Sequence, residues 1–138
     1  MNEQTKSPDS NIRSQMRKGI LEYCVLLLLS KKRAYPSDII TGLSEASLIV
    51  VEGTLYTLLN RLRKEGKLNY EWEESPKGPP RKYYFITAEG EDALKEMSEA
   101  WDEIVANVNH FRNMQLSEAD TAQEKRNPII VTQTKTEQ

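Results

Sequence analysis

At 138 residues, with 38% hydrophobic and 29% charged residues, the chain has room for one domain with extensions, a little lean in apolar content but still globular. The longest apolar run, Val25 to Leu29, is far too short to span a bilayer. The wider stretch from Ile20 is broken by Glu22 and followed by Lys31-Lys32-Arg33 rather than a small-residue cleavage site, which argues against a signal peptide.

The net charge of −2 looks wrong for a nucleic-acid binder until it is divided along the chain. Residues 11–90 hold 13 Lys/Arg against 9 Asp/Glu, whereas residues 91–116 hold 2 against 6. A basic body is thus set apart from an acidic C-terminal helix, and a local basic patch is what attracts phosphates. The one cysteine, Cys24, sits in an apolar segment and can form no intramolecular disulfide. It reads as a packed small hydrophobe in a cytoplasmic protein.

Residues 1–10 are polar and expected to be a disordered tail. From Asn11 to Ser30, Ile12, Met16, Ile20, Tyr23 and Leu27 keep helical spacing, and Val25–Leu29 is apolar all round, so one buried helical segment is expected. Ala34 to Pro36 turn the chain, and Ser37-Asp38 open a short helix through Gly42-Leu43. Leu48–Val51 is a β-branched run expected to pair as a third strand against a hairpin.

Residues 52–65 predict an amphipathic helix. Leu55, Leu58, Leu59 and Leu62 recur on a single face, with Thr54, Thr57, Asn60, Arg61 and Lys64 on the others. Gly66 is placed to close it in the left-handed conformation. Lys67–Glu74 and Arg81–Ile86 alternate as two strands around a turn holding Lys77, Gly78, Pro79 and Pro80. Thr87 caps a long helix to about Asn113. In that helix Leu94, Met97, Trp101, Ile104, Val108 and Phe111 follow each other at alternating intervals of 3 and 4, a heptad seam that demands a partner helix and predicts a homodimer. Residues 117–138 are polar and expected to be a second disordered tail.

These elements predict an α+β fold: a winged helix-turn-helix over residues 11–87, with an N-terminal helix and a C-terminal dimerisation helix over 88–116. The helix at 52–65 is expected in the major groove, with Thr54, Tyr56, Thr57, Asn60 and Arg61 meeting base edges or backbone. Lys64 and Lys67 are expected on phosphates, as are Arg17, Lys18 and the Lys31–Arg33 cluster. The wing at 75–82 presents Lys77, Arg81 and Lys82 to the minor groove or flanking phosphates.

Enzyme readings find little. The single histidine, His110, lies at an outward heptad position, no Cys/His cluster suggests a metal, and no GxxxxGK(S/T) or GxGxxG loop suggests a phosphate cradle. Glu71, Glu73 and Glu74 read as a solvated wing edge rather than paired catalytic carboxylates. No catalytic residue and no cofactor are expected.

Glu52-Gly53-Thr54-Leu55-Tyr56, then Leu59, Arg61-Leu62, Gly66 and Leu68, then Gly78, Arg81-Lys82-Tyr83-Tyr84, Ile86-Thr87 and Gly90 resemble the PadR transcriptional regulators. The resemblance covers about residues 12–113. It departs at Thr57, where many members carry proline, and in the acidic strand before the wing. It implies a repressor whose small members dimerise through the first and last helices. In the multidrug-sensing branch a tryptophan at a similar place in the last helix sandwiches flat aromatic ligands across the dimer. By that resemblance Trp101, with Met97, Ile12 and Met16, marks an expected effector site, against the plainer reading of Trp101 as a heptad core residue. The expected partners are an operator DNA, a second copy and a small hydrophobic effector, with no membrane. The competing reading is a winged-helix protein–protein interaction module without specific DNA binding, supported by the acidic last helix.

Overall fold

The computed structural model describes residues 8–116. In chain order it contains α1 (Pro8–Arg17), α2 (Leu21–Lys31), α3 (Pro36–Glu45), α4 (Glu52–Lys64), β1 (Leu68–Ser75), β2 (Gly78–Ile86) and α5 (Ala88–Arg112). This is the expected α+β winged helix with a long last helix. Helix α1 begins inside the segment expected to be a disordered tail. The rest of that tail, and the one expected at 117–138, lie outside the described residues.

The segment expected as one helix from Asn11 to Ser30 is two. Gly19 adopts φ +91° between them, the left-handed region that glycine enters without a steric penalty. The Lys18 amide donates to Gln15 at 3.2 Å and the Ile20 amide to Arg17 at 3.1 Å, closing α1 in a tight last turn. The Cys24 amide then donates to Ile20 at 2.9 Å and starts α2. Helical spacing of the apolar residues continues across this break, so periodicity alone reads straight through it.

Helix α3 opens with Pro36 after Tyr35, whose amide donates to the Asp38 carboxylate at 3.1 Å. Helix α4 buries Leu55, Leu58, Leu59 and Leu62 as the spacing predicts. Burial of each such side chain favours folding by roughly 1.5–3 kcal/mol. Gly66 at φ +81° ends the helix, and the Lys67 amide donates back to Leu62 at 2.9 Å. The core joins these leucines to Val25, Leu26 and Leu29 of α2, Ile39 and Leu43 of α3, and Leu68 and Tyr84 of the hairpin.

The sheet has two antiparallel strands, paired from Leu68↔Ile86 to Glu73↔Arg81 and, after a bulge, Ser75↔Gly78. The expected third strand at Leu48–Val51 does not form. The outer edge of β2 at Tyr84 is taken instead by Ala34, through an Ala34 amide donation at 3.0 Å and a Tyr84 amide donation at 2.8 Å. Leu48 and Val50 turn inward onto the core as partly buried side chains, while Ile49 and Val51 are exposed. The wing turn is also tighter than expected, because Gly78, Pro79 and Pro80 already belong to β2. Proline suits this end of the strand, where a missing amide donor disrupts little of the ladder.

Thr87 caps α5 as expected: its Oγ1 accepts from the Gly90 amide at 3.0 Å and donates to the Gly66 carbonyl at 2.5 Å. The chain divides into two compact units, the first ending at Ala100 and the second starting at Trp101. In the first, Leu94 and Met97 pack on the core, and the Tyr23 hydroxyl donates to Ser98 Oγ at 2.9 Å. In the second, Ile104, Val108, Phe111, Met114 and Leu116 are exposed and Trp101 is 39% exposed. The heptad stripe is thus split between residues that pack on their own core and residues that present apolar surface.

Candidate nucleic-acid interface

The leucine stripe that anchors α4 dictates what it shows outward. With 100° between successive residues, Gly53, Thr57, Asn60 and Lys64 lie opposite the leucines, and all four are exposed. Tyr56 and Arg63 form one flank of this ridge, Thr54 and Arg61 the other. Polar groups on a helix that protrudes in this way suit a DNA major groove. Glu52 begins the helix, where no side chain caps the free amides.

Arg61 is held more tightly than its sequence position suggests. Its guanidinium donates to Glu22 of α2 at 2.8 Å and to Glu65 at 3.1 Å. Lys67 Nζ meets the same two carboxylates at 3.2 and 3.1 Å, closing a four-residue charge cluster. Burial pushes the Glu22 carboxyl up, but hydrogen bonds from Arg61 and Lys67 outweigh it and hold the group below its ordinary value. Lys67, followed by Arg61, holds the Glu65 carboxyl down as well. Of the residues expected on DNA, Arg61 and Lys67 therefore already have partners, whereas Thr57, Asn60 and Lys64 form the outer ridge.

This cluster sets a pH dependence. A carboxylate whose pKa is depressed by folding stabilises the fold above its unfolded value, and the contribution disappears as pH falls through the folded one. The wild-type Tm should therefore fall more steeply below about pH 5 than that of Glu22→Gln. At pH 7 the variant should be less stable by about 1 kcal/mol, since both cations are partly solvated. Parallel acid slopes in thermal melts would show that Glu22 contributes nothing to the fold.

In the wing, residues alternate between two faces. Arg81 places its guanidinium 3.7 Å from the centre of the Tyr35 ring, and Tyr35 in turn stacks on Tyr83 at 4.7 Å. The Tyr35 hydroxyl donates to Glu73 at 3.0 Å. On the same face Arg33 pairs with Glu71 at 3.0 Å and lies 4.3 Å from the Phe85 ring. Glu71 and Glu73, expected to be a solvated edge, thus accept from Arg33 and Tyr35 of the α2–α3 connection. On the opposite face, Lys82 Nζ sits 4.5 Å from the Tyr70 ring and 5.5 Å from Trp72. The face of an aromatic ring attracts a cation electrostatically, so these rings hold the wing's cations in place. Lys77 stands exposed at the turn.

The candidate interface also holds residues whose place the pattern of the sequence did not show: Arg33, expected on a phosphate, pairs with Glu71 instead, and Tyr35 and Trp72 were not singled out. Tyr35 and Arg33 brace the wing from 38 residues away, a distance that no local signal spans. Trp72 was legible in principle, because it alternates with Tyr70 directly opposite Lys82. It lines a groove of about 360 Å³ with Pro36, Ser37, Glu52, Tyr56, Pro80, Arg81 and Lys82.

The expected effector residues divide. Ile12 and Met16 are exposed on α1, Met97 is partly buried against the core, and Trp101 belongs to the second unit. Cys24 is partly buried, and burial pushes its thiol up from the ordinary value. Among the described residues no helix is long and apolar enough to cross a membrane.

A sequence model described as the transcriptional regulator PadR-like family matches residues 25–96. A PadR-like transcription factor from Bacteroides fragilis is 59% identical, with a TM-score of 0.64, over 73% of this chain and 98% of that one. A PadR-like transcriptional regulator from Bacillus cereus is 35% identical, with a TM-score of 0.66, over 73% and 99% of the two chains. A PadR family regulator from Eggerthella lenta is 30% identical, with a TM-score of 0.68, over 77% and 93%. An uncharacterised protein of Lysinibacillus sphaericus is 30% identical over 103 residues, which are 72% of this chain and 94% of that protein.

Proposed function

This chain belongs to the PadR-like family of transcriptional regulators, and from that premise we propose that it is a homodimeric, sequence-specific DNA-binding repressor acting in the cytoplasm by binding rather than by catalysis. The observation that carries this reading is the pairing of an outward polar ridge on α4 with a wing whose Arg81 and Lys82 are braced by aromatic rings. In the proposed complex Thr54, Tyr56, Thr57 and Asn60 meet the major groove. Lys64, Lys77, Arg81 and Lys82 meet phosphates or the flanking minor groove, and Arg61 serves after exchanging a carboxylate for DNA.

The test is binding of the purified protein to duplex DNA from upstream of its own coding sequence, against scrambled DNA of equal length, across a salt series. Preference for the upstream DNA with a steep salt slope is the expected result. Equal, weak binding to both would favour the protein-interaction module.

The exposed apolar residues of the second unit support the dimer, since an apolar helix stripe in water requires a partner surface. Trp101→Asp combined with Ile104→Asp should convert the protein to a monomer in sedimentation velocity, and a variant that stays dimeric would remove the seam from the interface. Within the same proposal Trp101 is where a flat hydrophobic effector would act. Its support is the resemblance and the partial exposure of the ring.

A further inference from the structure

Trp72 is a large aromatic side chain that leaves 62% of its surface to solvent, at a place where the fold offers it cover on one side only. Its ring meets Tyr70 edge-on at 5.8 Å, and Lys82 lies over it at 5.5 Å. The groove it lines, of about 360 Å³, has Tyr56 of α4 on one wall and Pro80, Arg81 and Lys82 of the wing on the other. Apolar ring and cationic wall together match the two chemistries of a nucleic-acid backbone, whose sugar is apolar and whose phosphate is anionic. Most protein–DNA hydrogen bonds go to that backbone, and they position the protein without reading sequence.

We infer that this groove seats one strand of the duplex by its sugar–phosphate backbone, with the Trp72 ring against a deoxyribose and the adjoining phosphate on Lys82, which lies on the same face. The inference rests on the DNA-binding reading above and adds to it a positioning residue between helix and wing. Glu52, on the helix side of the groove, repels a phosphate and so orients the strand with its phosphates toward the wing. The indole N–H supplies a donor for a phosphate oxygen, and the exposed ring covers sugar without adding charge. Trp72 therefore contributes to affinity and leaves the salt dependence alone.

The test uses full-length protein labelled with 5-fluorotryptophan, whose two resonances are assigned with Trp72→Phe, titrated with the upstream duplex. The Trp72 resonance should shift and become protected from a soluble paramagnetic quencher as DNA binds. Trp72→Ala should weaken binding to upstream and scrambled duplex alike by about tenfold, with an unchanged salt slope and an unchanged ratio between the two DNAs. If DNA binds while Trp72 stays unshifted and accessible, the groove is not the seat of the strand and the DNA-binding reading survives. A change confined to the preference between the two DNAs would make Trp72 a base reader and overturn the backbone assignment. If neither duplex binds, both this inference and the reading beneath it fall.

Discussion

Replacing Gly90 with alanine should cost the fold about 3 kcal/mol, one of the largest single-residue losses available in this chain. Gly90 lies in the first turn of α5, pressed onto the turn between α4 and β1. A Cβ there would overlap the Lys67 carbonyl oxygen and lie 2.6 Å from Ile86 Cγ1 and 2.9 Å from the Lys67 carbonyl carbon. Two of these obstacles are backbone, and that backbone is itself held: the Thr87 amide donates to Lys67 at 3.1 Å, and Thr87 Oγ1 donates to Gly66. Relief therefore requires α5 to lift from the turn that it caps, disturbing Leu94 and Met97 on the core. In thermal melts the variant should lose more than ten degrees, at the usual several degrees per kcal/mol for a domain of this size. Gly53→Ala is the matched control, since a Cβ at Gly53 meets nothing within 4 Å and the residue is helical. It should be neutral or slightly stabilising. Equal melting temperatures for Gly90→Ala and the wild type would show that the α5 joint is loose.

Arg81→Ala combined with Lys82→Ala should reduce affinity for the upstream duplex about a hundredfold at moderate salt. It should also make the salt slope shallower by about 0.9 for each phosphate contact removed. The two cations are poised for this role by different means: Arg81 by the Tyr35 ring, itself tied to Glu73, and Lys82 by Tyr70 and Trp72. Both project from the wing, so their removal should leave the core intact, with an unchanged circular dichroism spectrum and Tm within a few degrees. A double variant that binds as tightly as the wild type, with the same slope, would take the wing out of the interface. The contrast with Trp72→Ala is informative, because that substitution should lower affinity without touching the slope.

Much of the architecture was legible because it depends on neighbours in the chain. The leucine stripe of α4, its closure at Gly66, the alternation of the hairpin and the Thr87 cap are all settled within a few residues, and each stands where the spacing predicts. The family was legible for the same reason, since its motif runs through those elements. The Gly19 break was harder to see, because apolar periodicity continues across it.

What the sequence determined by itself, then, is the run of elements from α3 through the hairpin to α5, the buried face of α4 and the polar ridge that it leaves outward. Tertiary structure alone decided which charges on that surface are already spoken for. Glu22 reaches Arg61 across 39 residues, and Arg33 and Tyr35 take up Glu71 and Glu73 across 38. It also decided that Ala34 rather than Leu48–Val51 pairs with β2, and that Leu94 and Met97 pack on their own core while Ile104, Val108 and Phe111 face solvent. The physical reason is common to all of these: periodicity tells a side chain which way to point, but ion pairs and packing depend on what the fold brings to meet it.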